Sequence, residues 1–270
     1  MVKDIDSILI EPQQLAVHLG DEDILIIAVC MKKDFNDGHI PGAILIEPSE
    51  LIQGKSPAVG KLPDIQKLEE LFSSIGLRDN LRIIAYDDEG GGWAGRLIWT
   101  LDVLGHSKYS LLNGGIIAWR SEGFPISVES ASPIITEFTA TINKDVIADI
   151  NDVMKSINDV NTIIWDARAP EEFNGTKVTA SRNGHVPGAI SLDWMHMKDL
   201  NNNSKLRNLD EIKGMLAGLG ITNNVKVITH CQTHHRSGLT YFVGKLIGLN
   251  ISAYDGSWAE WGNHPETPIE

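Results

Sequence analysis

An internal repeat is the feature that most restricts the folds open to this chain. Residues 184–190 read GHVPGAI and match GHIPGAI at residues 38–44, an offset of 146 positions. A helical pattern at residues 64–75 is repeated in the second half at residues 210–219. Self-similarity on this scale indicates two copies of one structural unit, which gene duplication explains.

Each copy alternates short apolar runs with helical patterns, and this alternation predicts an α/β fold. The fold class is two tandem domains, each a mostly parallel sheet flanked by helices. We expect a first domain at residues 1–126, a Ser-, Thr- and Glu-rich linker at 127–141, and a second domain at 142–270. Apolar runs predict buried strands at 23–30, 81–86, 161–168 and 225–229, and helices are predicted at 64–75, 93–104, 145–157 and 210–219.

The second copy carries a polar loop between a predicted strand and a predicted helix. In such a turn, backbone N–H groups can point inward and bind an anion, with the helix N-terminus behind them. A thiol in that position loses its proton readily, so Cys231 is predicted to be the catalytic nucleophile. The loop residues predicted to form this anion-binding turn are Gln232, Thr233, His234, His235, Arg236 and Ser237.

The first copy lacks this chemistry. Asp87 stands opposite Cys231, and the loop that follows is about one residue longer and acidic. We therefore expect the first domain to be a structural partner and the second domain to be catalytic.

Composition limits the partners and the compartment. The net charge of −13 argues against binding to nucleic acid or to an anionic membrane surface. The chain has two cysteines, Cys30 and Cys231, so a disulfide framework is not expected. This cysteine content favours a reducing compartment. Residues 1–10 show no basic-then-apolar leader, and the longest apolar run is too short for a membrane span. The sequence predicts a cytoplasmic monomer without a cofactor or a metal ion.

The duplicated unit, the two Gly-His-[Ile/Val]-Pro-Gly-Ala segments, the loop from Cys231 to Arg236 and the ending YDGSWAEW resemble the rhodanese family of sulfurtransferases. The resemblance covers essentially the whole chain. It implies that Cys231 takes the outer sulfur of a donor such as thiosulfate as a persulfide. An acceptor, either cyanide or a thiol, would then remove that sulfur.

The loop departs from the best-known members of the family. Thiosulfate-using members carry Cys-Arg-Lys-Gly-Val-Thr and mercaptopyruvate-using members carry Cys-Gly-Ser-Gly-Val-Thr, whereas this chain has Cys-Gln-Thr-His-His-Arg, which resembles a bacterial subtype. Arg236, with His234 or His235 if protonated, favours the thiosulfate dianion. A 3-mercaptopyruvate donor would also suit Arg236 and stays open. Arg182 resembles an arginine that some members use for the donor.

Other classes of function fit parts of the pattern. Dual-specificity phosphatases also place an arginine after His-Cys, but with five intervening residues, whereas four separate Cys231 from Arg236. A metal site is a further alternative, with His230, Cys231, His234 and His235 as its candidate ligands. A non-catalytic binding module is the last alternative. Structural roles are predicted for Cys30, for the repeated histidines His39 and His185, and for an ion-pair network of Asp166, Arg168, Glu171 and Glu172.

Overall fold

The computed structural model describes residues 5–270; residues 1–4, part of the N-terminal stretch predicted to lack a leader, lie outside the described residues. The chain forms two compact units. The first comprises residues 5–51, Pro63–Ile142 and Asp199–Leu206, and the second Ile52–Leu62, Asn143–Lys198 and Arg207–Glu270. The continuous domain limits given above stay a prediction. Each compact unit of the structure includes a short segment from the other half of the chain.

The first unit is built on a five-stranded parallel sheet of order β1-β5-β4-β2-β3. Its strands are β1 (Leu9–Ile10), β2 (Ile24–Val29), β3 (Ile44–Ile46), β4 (Arg82–Asp87) and β5 (Tyr109–Leu112). Its helices are α1 (Pro12–Ala16), α2 (Lys32–Asn36), α3 (Ile65–Ser74), α4 (Gly92–Val103) and α5 (Gly115–Ser121). The central strand β4 is buried on both faces, as its continuous apolar run predicts.

The second unit repeats this topology with a parallel sheet of order β6-β12-β11-β7-β8. Its strands are β6 (Ile147–Ala148), β7 (Thr162–Asp166), β8 (Ile190–Ser191), β11 (Lys226–His230) and β12 (Asn250–Tyr254). Its helices are α6 (Ile150–Ser156), α7 (Pro170–Phe173), α8 (Leu209–Gly218), α9 (Arg236–Leu246) and α10 (Ser257–Trp261). A separate ribbon pairs β9 (Lys198–Asp199) with β10 (Lys205–Leu206). The predicted α/β class with two parallel sheets is confirmed.

One predicted helix, residues 145–157, begins later than the sequence pattern indicates. Helix α6 starts at Ile150, because the Asp149 carboxylate accepts the backbone N–H groups of Asn151 and Asp152 and caps the helix. The two residues before Asp149 pair with β12 as strand β6. A two-residue strand is too short to show an alternating pattern, so its pairing depends on the rest of the sheet.

The repeated histidines have the structural role predicted for them. His39 Nδ1 lies 2.8 Å from the carbonyl of Phe35, and the two rings stack with centroids 3.7 Å apart. His185 repeats both contacts with Phe173, at 2.9 Å and 3.7 Å. The Gly-His segments therefore brace the turn before each outer strand.

Two equivalent connectors, Ile52–Leu62 and Asp199–Leu206, are exchanged between the halves of the chain: each belongs to the unit that the other half mainly forms. The sequence pattern did not reveal this exchange. In the second unit, the Leu62 N–H donates to the Asp255 carboxylate at 2.9 Å, and Lys61 pairs with the same carboxylate at 3.4 Å. In the first unit, the Leu206 N–H donates in the same way to the Asn113 side chain at 2.8 Å. A Lys-Leu dipeptide thus binds the turn after β5 or β12 in each unit.

The connector residues Ile52–Leu62 also contact the polar loop of the second unit. A Cβ atom at Gly60 would lie 2.2 Å from the carbonyl oxygen of Thr233, far inside van der Waals contact. Glycine at this position therefore allows the two backbones to approach closely. Sequence from the first half of the chain forms one wall of the loop that carries Cys231.

The equivalence of Asp255 and Asn113 leads to a stability prediction. Asp255→Asn keeps an oxygen that can accept the Leu62 N–H, as Asn113 does for Leu206, so we expect a loss of less than about 1 kcal/mol. Asp255→Ala leaves that N–H without its acceptor and is expected to cost about 1–3 kcal/mol. Urea unfolding of both variants measures the difference. Equal losses would mean that the hydrogen bond does not hold the connector.

Candidate active site

Cys231 lies at the carboxyl end of the central strand of the second sheet. Strand β11 ends at His230, which pairs in register with Asp166 at the end of β7. Parallel strands bring their carboxyl ends to one edge of the sheet, where ligands bind in open α/β folds. The Cys231 thiol is fully buried at that edge, directly before the loop that leads into α9.

The surroundings of the sulfur favour its ionised form. Burial by itself raises the pKa of Cys231, but the Arg236 guanidinium and two hydrogen bonds from Ser237 outweigh it, with a smaller contribution from His235. The net result is a pKa below the ordinary thiol value. Ser237 donates both its backbone N–H and its hydroxyl to the sulfur. A larger fraction of Cys231 is therefore thiolate at neutral pH than in a free cysteine.

The backbone of the loop is held from outside by α10. The N–H groups of Trp258 and Ala259 donate to the carbonyls of Cys231 and Gln232, at 3.0 and 2.9 Å. His234 adopts a left-handed conformation with φ 56°, which turns the chain tightly at the middle of the loop. The carbonyls at the start of the loop are thus directed toward α10.

The first unit shows what the same kind of loop does with an anion. The Asp87 carboxylate accepts backbone N–H groups from Glu89, Gly90, Gly91 and Ala94, at 2.8–3.2 Å. Burial and the neighbouring Glu89 raise the pKa of Asp87 to about 6, against the opposing effect of these N–H groups. The inward N–H groups are already occupied by the side chain of the last residue of β4. The first unit therefore has the anion-binding geometry without a reactive group.

Arg236 is held by a glutamate that the sequence analysis assigned to a structural network. Its two terminal nitrogens donate to the two carboxylate oxygens of Glu172 at 2.5 and 2.9 Å, a bidentate pair. Burial raises the pKa of Glu172, but the Arg236 pair outweighs it and holds that pKa below its usual range. Sequence offered one signal for this residue: an acid, Asp34, occupies the corresponding position of the first copy. Glu172 orients Arg236 and offsets part of its charge.

The other loop side chains differ in what they face. The Gln232 amide is bonded to Thr179 through both ends, accepting from its hydroxyl at 2.8 Å and donating to its carbonyl at 2.9 Å. His235 is half-buried, and its ring lies 5.7 Å from that of Trp194, a residue that the sequence analysis did not single out. The side chain of Gln232 therefore braces the loop from the side, whereas His235 and Arg236 remain partly accessible.

Arg182, predicted as a possible donor-binding residue, is placed against the C-terminal segment. Its guanidinium donates to the carbonyl of Thr267 at 2.7 Å, to the Thr267 hydroxyl, and to the carbonyls of Trp261 and His264. These bonds support a structural role for Arg182, since they tie the end of the chain to the second unit. The contact with a donor stays a prediction.

A buried ion pair lies behind the loop. The Asp166 carboxylate accepts from Arg168 Nε at 2.9 Å and Nη2 at 2.6 Å, and both side chains are fully buried. Burial disfavours ionisation of Asp166, but His230 and Arg168 outweigh it and hold its pKa low. The corresponding positions of the first copy are Ala28 and Cys30. Burial and the nearby Asp88 raise the pKa of Cys30 to about 12, so this thiol is unsuited to nucleophilic chemistry.

The described residues hold neither a membrane-spanning helix nor a metal-binding cluster. No helix between residues 5 and 270 is long and apolar enough to cross a bilayer. Over the same range, no three His, Cys, Asp or Glu side chains are grouped as metal ligands would be. Nδ1 of His230 faces the carbonyl of Cys231 at 3.1 Å, and Nδ1 of His234 faces the Ser237 hydroxyl at 2.7 Å.

The fold and the site together define a tandem α/β protein with one buried thiol of lowered pKa at the start of a polar loop. The family model for the rhodanese-like domain matches residues 11–122 and again residues 149–264. The chain therefore belongs to the rhodanese family, and both copies are members. The resemblance drawn from the sequence motifs is confirmed.

Several relatives have names that describe sulfur transfer. A thiosulfate sulfurtransferase of Azotobacter vinelandii is 40% identical over 264 residues, or 97% of each chain. One of Pseudomonas aeruginosa is 42% identical over the same share of both chains. A 3-mercaptopyruvate sulfurtransferase of Escherichia coli is 26% identical over 95% of each chain.

Similarity to solved structures supports the fold. An anaerobic ergothioneine biosynthesis enzyme from Chlorobium limicola, in complex with trimethyl histidine, superposes with a TM-score of 0.88. The match covers 97% of this chain and 70% of that chain at 23% identity. At this identity the likeness concerns the tandem α/β architecture alone.

Proposed function

We propose that this chain is a thiosulfate sulfurtransferase that carries sulfur as a persulfide on Cys231. The observation that carries the proposal is the sulfur of Cys231 in a loop where Ser237 donates two hydrogen bonds and Arg236 supplies positive charge. The names of the relatives of 40% and 42% identity support the same activity.

The first half-reaction loads the cysteine. The Cys231 thiolate forms a bond to the outer sulfur of thiosulfate, the bond between the two sulfur atoms of the donor breaks, and its electron pair leaves with sulfite. Charge is conserved, because a thiolate and a dianion become a persulfide anion and a dianion. The negative charge passes to the terminal sulfur, where N–H donors of the loop and Arg236 favour it.

The second half-reaction discharges the persulfide. A nucleophile such as cyanide or a thiolate bonds to the terminal sulfur, and the electron pair of the broken bond returns to Cys231. Division of the transfer into two displacements at one cysteine is covalent catalysis. Nothing in this cycle requires a cofactor, and the partners are a small anionic donor and a thiophilic acceptor.

A second donor, 3-mercaptopyruvate, is favoured by one observation. Its carboxylate could pair with Arg236, and a relative named for that donor aligns along 95% of this chain. Thiosulfate is the preferred candidate because the partly accessible Arg236 and His235 suit a dianion better than a monoanion. The ratio of kcat/KM for the two donors tests this preference, and a higher value for 3-mercaptopyruvate would reverse it.

The proposal predicts that Arg236 acts mainly in loading. Glu172 would be left buried and unpaired in Arg236→Ala, so the informative variant is Arg236→Ala with Glu172→Gln. Loading by thiosulfate should fall on the order of 10²-fold, since the dianion loses its cationic partner. Discharge by cyanide should fall less than about tenfold, because the leaving thiolate keeps the Ser237 donors. Rapid-mixing measurements separate the half-reactions, and equal losses in both would contradict a donor-binding role.

The roles of the two domains, the location and the oligomeric state complete the proposal. We propose that residues 1–126 form an inactive domain and residues 142–270 the catalytic one, joined by the linker at 127–141. Asp87 in place of a thiol supports the inactivity of the first domain. Both cysteines are free thiols, which supports a cytoplasmic location, and the enzyme is proposed to act as a monomer.

A further inference from the structure

Three buried side chains form a continuous chain of hydrogen bonds that ends on the reactive sulfur. Cys231, Ser237 and His234 are all fully buried. The Ser237 hydroxyl bonds to the sulfur, and its oxygen lies 2.7 Å from Nδ1 of His234. The imidazole therefore contacts the sulfur through one hydroxyl group.

The number of protons determines the direction of these bonds. A serine hydroxyl has one proton to donate but can accept through its lone pairs. If Nδ1 of His234 lacked a hydrogen, the hydroxyl would have to donate to the imidazole and could not donate to the sulfur. If Nδ1 carries the hydrogen, the imidazole donates to the Ser237 oxygen and the hydroxyl proton is left for Cys231. Donation to a thiolate therefore requires the Nδ1–H tautomer.

The first copy supplies an internal comparison. Gly90 stands where the second copy has His234, and both residues adopt positive φ, at 87° and 56°. Glycine occupies such a conformation without strain, whereas histidine does not. Ala94, which has no hydroxyl, stands where the second copy has Ser237. The first copy, with Asp87 at the position of Cys231, thus lacks both other members of this hydrogen-bonded chain, and its backbone turn forms with glycine.

We propose that His234 is a positioning residue that holds the Ser237 hydroxyl as a hydrogen-bond donor to the sulfur of Cys231. The hydroxyl favours the thiolate over the thiol, because a charge-assisted hydrogen bond is stronger than a neutral one. His234 acts by preventing the hydroxyl from turning away. The inference rests on the proposed function only in taking Cys231 as the reactive group.

Other charges near the sulfur must be kept constant in a test. Arg236 and His235 act on Cys231 from the same loop. Glu172 of α7 and Asp166 of β7 act on Arg236, and the buried His230 precedes the cysteine. Neutral substitutions at positions 234 and 237 leave all of these groups in place.

The test measures the ionisation of Cys231 without any sulfur donor. The rate of alkylation by iodoacetamide is followed against pH in a Cys30→Ser background, so that one thiol reports. Ser237→Ala should raise the midpoint by about one pH unit, as expected for loss of one charge-assisted bond. His234→Gly and His234→Asn should each raise the midpoint by about half a pH unit or more. The midpoint of the double variant, Ser237→Ala with His234→Gly, should lie only slightly above that of Ser237→Ala alone.

The two substitutions at position 234 separate positioning from a purely structural role. Glycine and asparagine both accept positive φ, so they preserve or stabilise the turn, which circular dichroism and urea unfolding verify. A wild-type midpoint in both folded variants would overturn the proposal. Nitrogen-15 NMR of the histidines gives a second readout: hydrogen on Nδ1 of His234 is expected, and the opposite tautomer would overturn the proposal. Because no donor is used, failure here is distinct from failure of thiosulfate to load the enzyme.

Discussion

Cys231→Ser is expected to abolish sulfur loading completely. Incubation of the wild-type protein with thiosulfate should add one sulfur atom, about 32 Da, in the intact mass, and cyanide should remove it. The serine variant should show no adduct, because a hydroxyl with its far higher pKa cannot attack the donor at neutral pH and no other thiol of the chain is activated. Sulfite release from thiosulfate should fall to the background rate in the same variant.

Cys30→Ser is the matched control for this experiment. Cys30 is buried beside Asp88, and its pKa of about 12 keeps it protonated at neutral pH. The control variant should therefore take up one sulfur atom as the wild type does. An adduct that survives Cys231→Ser and disappears in Cys30→Ser would place the chemistry in the first unit and overturn the proposed function.

Asp166→Ala is expected to cause the largest loss of stability. The substitution leaves the Arg168 guanidinium fully buried without its carboxylate, to which it is bound at 2.6 and 2.9 Å. Breaking a buried ion pair from one side typically costs about 3–5 kcal/mol, because the uncompensated charge stays out of water. Urea unfolding followed by circular dichroism measures the loss. Replacing both residues, as in Asp166→Leu with Arg168→Met, should recover most of it.

An ion pair whose carboxylate is exposed, although its arginine side chain is only 16% exposed, serves as the comparison. Arg82 pairs with Asp6 at 2.8 Å in the first unit, and 71% of the Asp6 side chain is exposed. Asp6→Ala should therefore change the free energy of unfolding by no more than about 1 kcal/mol. A similar small loss for Asp166→Ala would show that Arg168 reaches water when its partner is removed.

The site divides into a part that sequence could predict and a part that it could not. Cys231 and the loop that follows it are contiguous, and the pattern of buried strand, polar loop and helix is local, so the sequence located the thiol and its N–H donor loop. The pairing of Arg236 with Glu172 joins residues 64 positions apart. Charge alone placed Glu172 in a network with Asp166 and Arg168, because sequence does not tell which of several nearby acids faces which arginine.

Arg182 and Gln232 show that sequence also does not determine the direction in which a long polar side chain points. Their chemical type and their position near the family's motifs predict both as site residues. The direction of a long side chain depends on which acceptors its neighbours offer. For Arg182 these are carbonyls of the C-terminal segment, and for Gln232 they belong to Thr179. Chemical type identifies groups able to bind a donor, whereas packing determines which partners each side chain contacts in the folded unit.

The sequence by itself determined the duplication, the α/β class, the strand, loop and helix around Cys231, and the presence of Asp87 at the equivalent position of the first copy. These properties depend on residue identity and local periodicity, which the chain carries without reference to its folded neighbours. Only the tertiary structure decided that Ile52–Leu62 and Asp199–Leu206 are exchanged, that Glu172 holds Arg236, and that His234 contacts Cys231 through Ser237. Exchange and pairing join segments far apart in the chain, and the His234 contact needs the loop's left-handed turn, so each exists only once the whole unit has folded.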